Sequence, residues 1–232
     1  MMKKILLILL CLSFCLSCIA CSDDDGKTES SAEEVSTTKE SFIDNTEGNE
    51  LAMPQYETTN PVVAMSIKDY GTVVVELYPN IAPNTVNNFI YLVKKGFYDN
   101  NTIHRMLPGF VIQGGDPTGT GGGDPGYSIK GEFSANGFVN PLKHTEGVIS
   151  MARATPYDSA GCQFFLMLGE ADWLDGAYAA FGKIIEGMDV CREIEKIKYY
   201  NKQSGKLNTN LVITKMVVDT KGVEYPEPEK IR

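Results

Sequence analysis

The chain has 232 residues, of which 43% are hydrophobic, and carries a formal net charge of −9 at pH 7. The charge is unevenly spread, because residues 22–50 account for −8 and Lys3 and Lys4 for +2, which leaves −3 for residues 51–232. No basic cluster exists that would fit a nucleic-acid-binding protein. The acidity therefore describes one segment and says little about the remainder of the chain.

The first 21 residues are typical of a secretory signal. Lys3 and Lys4 precede an apolar run over residues 5–20, which is shorter than the ~20 residues of a membrane-spanning helix. The run ends in Cys18-Ile19-Ala20-Cys21, which resembles a bacterial lipobox and implies that Cys21 is lipidated and becomes the mature N-terminus. Cys18 is a rival site, and ordinary signal cleavage, which leaves a soluble secreted protein, is the alternative.

Residues 22–55 are predicted to form an acidic, disordered tether. Residues 22–50 hold ten acidic residues and almost no large apolar side chains, so they cannot bury enough surface to offset the entropy of ordering. The rest of the chain is long enough for one domain with a sizeable core, predicted at residues 56–220. Residues 221–232, with Pro226 and Pro228, are predicted to be an extended tail.

Short valine-rich runs and turn signals predict that this domain is mainly β. The first helix is indicated by Val86, Phe89, Ile90 and Val93 at helical spacing between Pro83 and Gly96. The predicted strands are Val62–Lys68, Thr72–Tyr78, Phe110–Gln113, Tyr127–Lys130, Gly147–Met151, Gln163–Leu168, Ala179–Lys183 and Leu211–Val218, and the predicted helices are Pro83–Lys95 and Met188–Lys196. A loop over Tyr199–Asn210 precedes the last strand. We expect a closed eight-stranded antiparallel β-barrel capped by two α-helices, because closure removes exposed strand edges.

Metal, cofactor and disulfide chemistry have little support in the sequence. His104 and His144 are the only histidines, and no Cys-x-x-Cys motif accompanies them. Eight of the 18 residues from Gly109 to Gly126 are glycine, but no Gly-Lys-Ser/Thr follows, which favours tight turns over a phosphate-binding loop. Cys162 and Cys191 could pair in an oxidising compartment, although two buried free thiols are favoured.

One segment, residues 103–116, combines a cation with an amide and apolar walls. Arg105 precedes Phe110 by five residues and Gln113 by eight. Strand alternation places Val111 with Gln113, and in a later segment Gln163 with Phe165. Trp173-Leu174-Asp175 adds a bulky apolar pair beside a turn. The set contains neither a nucleophile–base pair nor a carboxylate dyad.

The order of these motifs resembles the cyclophilins over nearly all of residues 60–220. The matching motifs are Ile-His-Arg, Pro-Gly-Phe-Val-Ile-Gln-Gly-Gly-Asp, Ser-Met-Ala-Arg-Ala, Gln-Phe-Phe and Trp-Leu-Asp-Gly. The resemblance implies Arg105 as the catalytic arginine, with Phe110 and Gln113 beside it. It also implies a substrate-binding surface, which consists of Val111, Ala152, Arg153, Gln163, Phe165, Trp173, Leu174 and Tyr178. Tyr178 stands where many members have histidine, and Arg153 replaces a common asparagine.

The function implied by this resemblance is peptidyl-prolyl cis–trans isomerisation. We expect an enzyme that acts on proline-containing polypeptides among exported proteins and that needs neither cofactor nor metal. We further expect a monomer, anchored in the cell envelope by lipid, with no nucleic-acid partner. The main alternative is a domain that binds proline-containing segments without turnover, and a third is a lipoprotein whose tether and tail recruit a partner. Retention of Arg105 favours the enzyme, because non-catalytic relatives often lose this residue.

Overall fold

The computed structural model describes residues 55–198 and 200–231. The predicted signal with Cys21, and residues 22–54 of the predicted tether, lie outside the described residues, as do Tyr199 and Arg232. Within the described ranges, no helix combines the length and apolarity needed to cross a membrane.

Eight strands of the described chain form one closed barrel in which neighbouring strands are antiparallel. The strands are β1 (Val62–Ile67), β2 (Gly71–Leu77), β3 (Asn101–Leu107), β4 (Val111–Asp116), β5 (Val148–Met151), β6 (Phe164–Met167), β7 (Ala180–Glu186) and β8 (Lys206–Asp219). Their order around the barrel is β1-β2-β7-β5-β6-β4-β3-β8. Two helices, α1 (Pro83–Lys94) and α2 (Met188–Glu195), accompany them, which confirms the predicted fold class.

The number of strands was predicted correctly, but one of the eight was misplaced. Residues 127–130 form only isolated bridges, from Ser128 to Ile231 and from Ile129 to Ala160, so the strand predicted at Tyr127–Lys130 is wrong. The strand missing from the prediction is β3, which carries Arg105. The prediction also placed a loop where β8 already begins at Lys206.

A β-bulge explains why β3 is difficult to recognise in the sequence. Ile103 and Met106 are both in the barrel core although they are three residues apart, which regular alternation does not allow. The register shifts between Ile103 and Arg105 against both neighbouring strands. The extra residue reverses the alternation, so Arg105 points away from the core instead of sharing the face of Ile103.

The barrel interior holds an aromatic cluster to which helix α1 contributes. Phe89 of α1 lies 5.2 Å from Tyr98, 5.5 Å from Phe164 and 5.2 Å from Phe181, measured between ring centroids. The apolar face predicted for this helix is buried in the same core. Helix α2 adds Cys191 and Ile194. In the described part of the chain, Cys162 and Cys191 are both buried and free.

A second apolar cluster lies on the outer face of strands β4, β5, β6 and β7. Alternate residues of these strands, such as Ile112 and Phe164, belong to the interior core, whereas Val111 and Phe165 belong to the second cluster. Because both faces are covered, the strands are apolar without alternation. The outer cluster consists of Val111, Val148, Phe165, Met167, Ala171, Leu174 and Ala180, flanked by Phe110, Leu142, Ala152 and Tyr178.

Residues 229–231 of the C-terminal tail are held against the barrel. The backbone of Glu229 exchanges two hydrogen bonds, of 2.8 and 3.0 Å, with the side chain of Asn84 in helix α1. Ile231 pairs with Ser128, and the Lys230 ammonium lies 4.4 Å from the ring centroid of Tyr91. The described contacts of this segment are therefore made within the chain.

A buried carboxylate stabilises the start of helix α1, whose own N-cap residue offers no side-chain cap. Glu132, 4% exposed, accepts hydrogen bonds from the backbone N–H groups of Asn84 (3.0 Å) and Thr85 (2.8 Å) and from the Thr85 hydroxyl (2.7 Å). We expect Glu132→Gln to lower the free energy of unfolding by about 1–3 kcal/mol, because an amide donor then faces donors in a buried position. Thermal unfolding measures this change.

Glu146 provides the matched control for that substitution. It pairs with Arg192 on the surface, where an ion pair contributes about 0–1 kcal/mol. Glu146→Gln should therefore leave the melting temperature nearly unchanged. Equal effects of the two substitutions would contradict the capping role of Glu132.

Candidate active site

Three of the predicted site residues, Arg105, Gln113 and Phe165, lie in one row of paired residues that runs across strands β3, β4 and β6. Strand pairing places Arg105 opposite Gln113, Gln113 opposite Phe165, and Phe165 opposite Ser150. Directly paired residues project from the same face of a sheet. Residues that are up to 60 positions apart in the chain therefore become neighbours on the outer face.

The polar end of the row is a chain of hydrogen bonds with a single direction. The Arg105 guanidinium, which can only donate, donates from Nη1 to Gln113 Oε1 (3.0 Å). Gln113 Nε2 donates to Gln163 Oε1 (3.1 Å), and Gln163 Nε2 donates to the carbonyl oxygens of Gly121 (3.1 Å) and Gly123 (3.0 Å). The donor-only guanidinium and the acceptor-only carbonyls thus determine the orientation of both amides.

Asp116 at the end of β4 organises the glycine-rich loop that receives this chain. Its carboxylate accepts hydrogen bonds from the backbone N–H of Thr118 (2.7 Å), the Thr118 hydroxyl (2.8 Å) and the backbone N–H of Gly121 (2.5 Å). Burial acts to raise the pKa of Asp116, but hydrogen bonds from Thr118, Gly123 and Gly121 outweigh it and lower this pKa to about 2. The glycines serve the tight turns favoured from the sequence, and their carbonyls hold Gln163.

Arg105 is half-buried and is oriented by a second backbone contact. Its Nε donates to the carbonyl oxygen of Ser204 (2.9 Å), just before strand β8. Its guanidinium carbon lies 6.0 Å from the ring centroid of Phe110. Burial lowers the pKa of Arg105 below its ordinary value. The guanidinium is therefore a partly desolvated hydrogen-bond donor beside an apolar surface.

The apolar end of the site is formed by part of the outer cluster. Val111, Phe165 and Leu174 are buried, and the Tyr178 ring meets Phe165 edge to face at 5.9 Å. Trp173 is 66% exposed and lies 5.8 Å from Phe110, which places it at the rim. The structure thus brings together all the residues predicted for an apolar pocket.

The Arg153 guanidinium binds backbone carbonyl groups of the protein. Its guanidinium donates to the carbonyl oxygens of Ala177 (2.9 and 3.0 Å), Ala154 (2.9 Å) and Thr155 (3.2 Å). It also lies 4.6 Å from the centroid of the Tyr178 ring. Arg153 therefore joins the 152–155 segment to the loop before β7.

A cavity of about 270 Å³ adjoins the two glutamines. Small residues make up most of its wall, which consists of Gln113, Gly121, Gly122, Gly123, Asp124, Ala152, Arg153, Ala154, Ser159, Gly161, Cys162 and Gln163. Ala152, Arg153 and Gln163, predicted to line a groove, therefore line this cavity.

Sequence reasoning missed the groups that act through the backbone. The carbonyls of Gly121, Gly123 and Ser204 leave no sign in side-chain identity, whereas the Gly-Gly-Asp motif at Asp116 offered a usable signal. The buried Nδ1 of His104 has no hydrogen-bond partner among the described residues. The same part of the chain contains no group of three or more His, Cys, Asp or Glu arranged to hold a metal.

This geometry defines a β-barrel that carries an arginine donor beside an apolar pocket and an adjoining groove. Comparison with known proteins gives the same result. Residues 62–218 match the family model described as cyclophilin type peptidyl-prolyl cis-trans isomerase/CLD.

The similar proteins include fungal, bacterial and protozoan examples. Peptidyl-prolyl cis-trans isomerase-like 1 of Gibberella zeae is 44% identical over 142 residues, which cover 61% of this chain and 84% of the relative. Peptidyl-prolyl cis-trans isomerase B of Bacillus subtilis is 44% identical over 128 residues, 55% of this chain and 86% of the relative. A crystal structure of a Cryptosporidium parvum cyclophilin-type isomerase, obtained in the presence of the dipeptide Ala-Pro, matches with a TM-score of 0.61 and 32% identity. It covers 68% of this chain and 98% of that structure's chain. The chain belongs to the cyclophilin family, and it is a peptidyl-prolyl cis–trans isomerase.

Proposed function

We propose that Arg105 is the catalytic group and that it stabilises the twisted state of an Xaa-Pro bond. Rotation about a peptide bond has a barrier of ~18–20 kcal/mol, because resonance is lost midway. In the twisted state the proline nitrogen becomes pyramidal and regains a basic lone pair. A guanidinium aimed at this nitrogen binds the twisted state better than either planar form, which is the requirement for catalysis.

The hydrogen-bond chain from Arg105 to Gly121 and Gly123 supports this proposal. It holds the guanidinium in one orientation before substrate arrives, so little reorganisation is needed during rotation. Partial burial strengthens the interaction, because the effective dielectric constant is lower than in bulk water. The hydrogen-bond chain through Gln113 is the observation on which the catalytic assignment of Arg105 rests.

The apolar cluster supplies the second part of the mechanism. We assign the proline ring to the pocket of Phe110, Val111, Phe165 and Leu174, with Trp173 at the rim and Tyr178 closing one side. With the ring clamped, the residues that precede proline rotate in the groove of Ala152, Arg153 and Gln163. No covalent intermediate is required. A domain that only binds proline segments would not need an oriented guanidinium.

A peptide assay distinguishes the two functions. Turnover of a peptide with one Xaa-Pro bond should depend on Arg105, whereas binding of the same peptide should depend mainly on Phe165. Turnover that is independent of Arg105 would favour the binding function and remove the catalytic assignment.

We also propose that the enzyme acts on exported polypeptides from a lipid anchor in the cell envelope. Three features of the sequence support this location: the apolar segment after Lys3 and Lys4, the Cys21 that ends it, and the acidic segment that follows. Mutual repulsion of the negative charges of residues 22–50 would favour an extended segment. Such a tether would allow the site to reach folding chains near the membrane.

Cys21→Ser tests the anchor. We expect the variant to leave the membrane fraction, because the lipidated thiol is lost and a lipid anchor contributes ~0.8 kcal/mol per buried CH₂. The measurement is fractionation of intact cells together with mass spectrometry of the N-terminus. Cys18→Ser is the matched control and should stay membrane-bound. If Cys21→Ser still carries lipid, Cys18 or the uncleaved signal is the anchor.

A further inference from the structure

His144 lies directly behind the proposed proline pocket. Its imidazole stacks on the Phe165 ring, with centroids 6.0 Å apart and an interplanar angle of 24°. Nδ1 lies 3.0 Å from Asp175 Oδ1, and Nε2 lies 2.9 Å from Ser150 Oγ. The His144 side chain has no exposed surface, and Ser150 is fully buried. The imidazole and the Ser150 hydroxyl cannot contact a substrate, so any role of His144 must be exerted through its neighbours.

Phe165 is a wall of the pocket, and Ser150 and Asp175 are each joined to such a wall. Ser150 is the strand partner of Phe165, and Asp175 directly follows the turn that carries Trp173 and Leu174. The backbone N–H of His144 also donates to Asp175 Oδ1 (2.8 Å). One imidazole is thus joined to the aromatic floor, to the strand beside it and to the loop that forms the opposite wall.

The hydrogen-bond partners assign one tautomer of the neutral ring. Asp175 only accepts, so Nδ1 carries the proton and donates to it. Nε2 then accepts from the Ser150 hydroxyl. Addition of a second proton turns Nε2 into a donor and forces the Ser150 hydroxyl to turn its own hydrogen elsewhere in a buried environment, which is unfavourable.

The charged groups around the ring lie on one side only. Asp175 faces Nδ1, and the Lys143 ammonium lies 3.2 Å from the other carboxylate oxygen of Asp175. Strand β5 presents the neutral Ser150, and strand β6 presents Phe165, with the Tyr178 phenol beyond that ring. In the described part of the chain, no hydrogen bond or ion pair joins Nε2 to a cation.

We propose that His144 is a positioning residue of the proline pocket. While its ring is neutral, His144 holds Phe165 and the Trp173–Asp175 loop in place, and it releases them when the ring is protonated in acid. The proposal rests on the proposed function and extends it, since it makes turnover depend on a proton that the rotation step does not use.

The direction of titration supports an effect confined to acid pH. Burial lowers the pKa of His144 from its ordinary value of 6.5. The hydrogen bond to Asp175 and the negative charge of Asp175 act in the opposite direction but are outweighed. Asp175 keeps a lowered pKa: burial acts to raise it, but hydrogen bonds from His144 and Lys143 outweigh the burial. Because the folded-state pKa of His144 is lowered, the unfolded chain takes up the proton first as pH falls, and the native state also loses stability below the unfolded value.

The experiment compares the pH dependence of turnover with the titration of the imidazole itself. The substrate is a peptide with one Xaa-Pro bond and no titratable side chain, assayed on the full-length protein. We expect kcat/KM to fall about tenfold in acid, mainly through KM, with the midpoint at the His144 pKa measured by NMR. His104 and His144 are the only histidines, so both imidazoles can be assigned.

Three variants separate positioning from general stability. The fall of kcat/KM at acid pH (the acid limb of the profile) should be absent from His144→Gln, whereas the matched control His104→Gln should keep it. Asp175→Asn should move the midpoint about one pH unit lower, because it removes the charge that favours the protonated ring. An acid limb that persists in His144→Gln or disappears in His104→Gln would overturn the proposal.

Trp173 gives a readout that does not depend on catalysis. It is the single tryptophan of the chain and belongs to the loop that Asp175 holds. Its fluorescence should change with the same midpoint and should not change in His144→Gln. If the Trp173 fluorescence stays constant over the pH range in which His144 titrates, the positioning role is refuted. Absence of turnover at every pH would instead contradict the proposed function, and the fluorescence would still test the inference.

Discussion

Arg105→Ala is expected to lower kcat/KM by about 10²–10³-fold, with most of the loss in kcat. In the proposed mechanism the guanidinium acts in the twisted state, whereas the planar peptide is bound mainly by the apolar pocket. Arg105→Lys should recover little of the activity, because an ammonium cannot donate to Gln113, Ser204 and the proline nitrogen in the same fixed geometry. A protease-free peptide isomerisation assay measures the rates.

Arg192 provides the matched control for this prediction. It is also an arginine with hydrogen-bonded partners, but it pairs with Glu146 and Glu195 at helix α2. Arg192→Ala should leave kcat/KM within about twofold of the wild type. Circular dichroism should show that both variants are folded. Activity of folded Arg105→Ala within a fewfold of wild type would refute the catalytic assignment.

Phe165→Ala is expected to affect both stability and substrate binding. The ring is 5% exposed and contacts His144 and Tyr178, so its loss should destabilise the fold by about 3–5 kcal/mol. It also forms the floor of the proposed proline pocket. We therefore expect KM to rise, and kcat/KM to fall about 10–10²-fold, because the proline ring is no longer held in position.

Met167→Ala separates the two effects. Met167 is fully buried in the same outer cluster, two residues along β6, and its truncation should cost about 2–5 kcal/mol. It is not part of the proposed proline pocket, so kcat/KM should change far less than in Phe165→Ala. Denaturant unfolding and peptide kinetics on both variants give the comparison. Parallel losses in the two variants would show that Phe165 acts through stability alone.

The barrel was predictable because most of its strands are continuous apolar runs bounded by turns. Helix α1 was recognisable from one periodic face between Pro83 and Gly96. Strand β3 was not, because the bulge breaks its alternation at His104 and Arg105. Residues 127–130 have strand-like composition but only isolated bridges, and composition alone does not reveal that they lack a continuous partner.

The candidate site was predictable as a set of side chains but not as a mechanism of positioning. Motif order identified Arg105, Gln113 and Phe165, which strand pairing then places in one row. The acceptors that orient Arg105 and Gln163 are backbone carbonyls, which any residue could supply. The outward direction of Arg105 depends on a register shift, and this shift arises from tertiary pairing with β4 and β8.

Because Arg105 donates a hydrogen bond to Ser204, its orientation depends on the part of the barrel that is synthesised last. Strand β8 closes the barrel between β3 and β1, and the segment before it supplies the Arg105 acceptor. A chain emerging from the ribosome would therefore present its apolar pocket residues before its guanidinium is oriented. If turnover depends on Arg105 as proposed, the enzyme would gain activity only once its C-terminal residues had joined the fold.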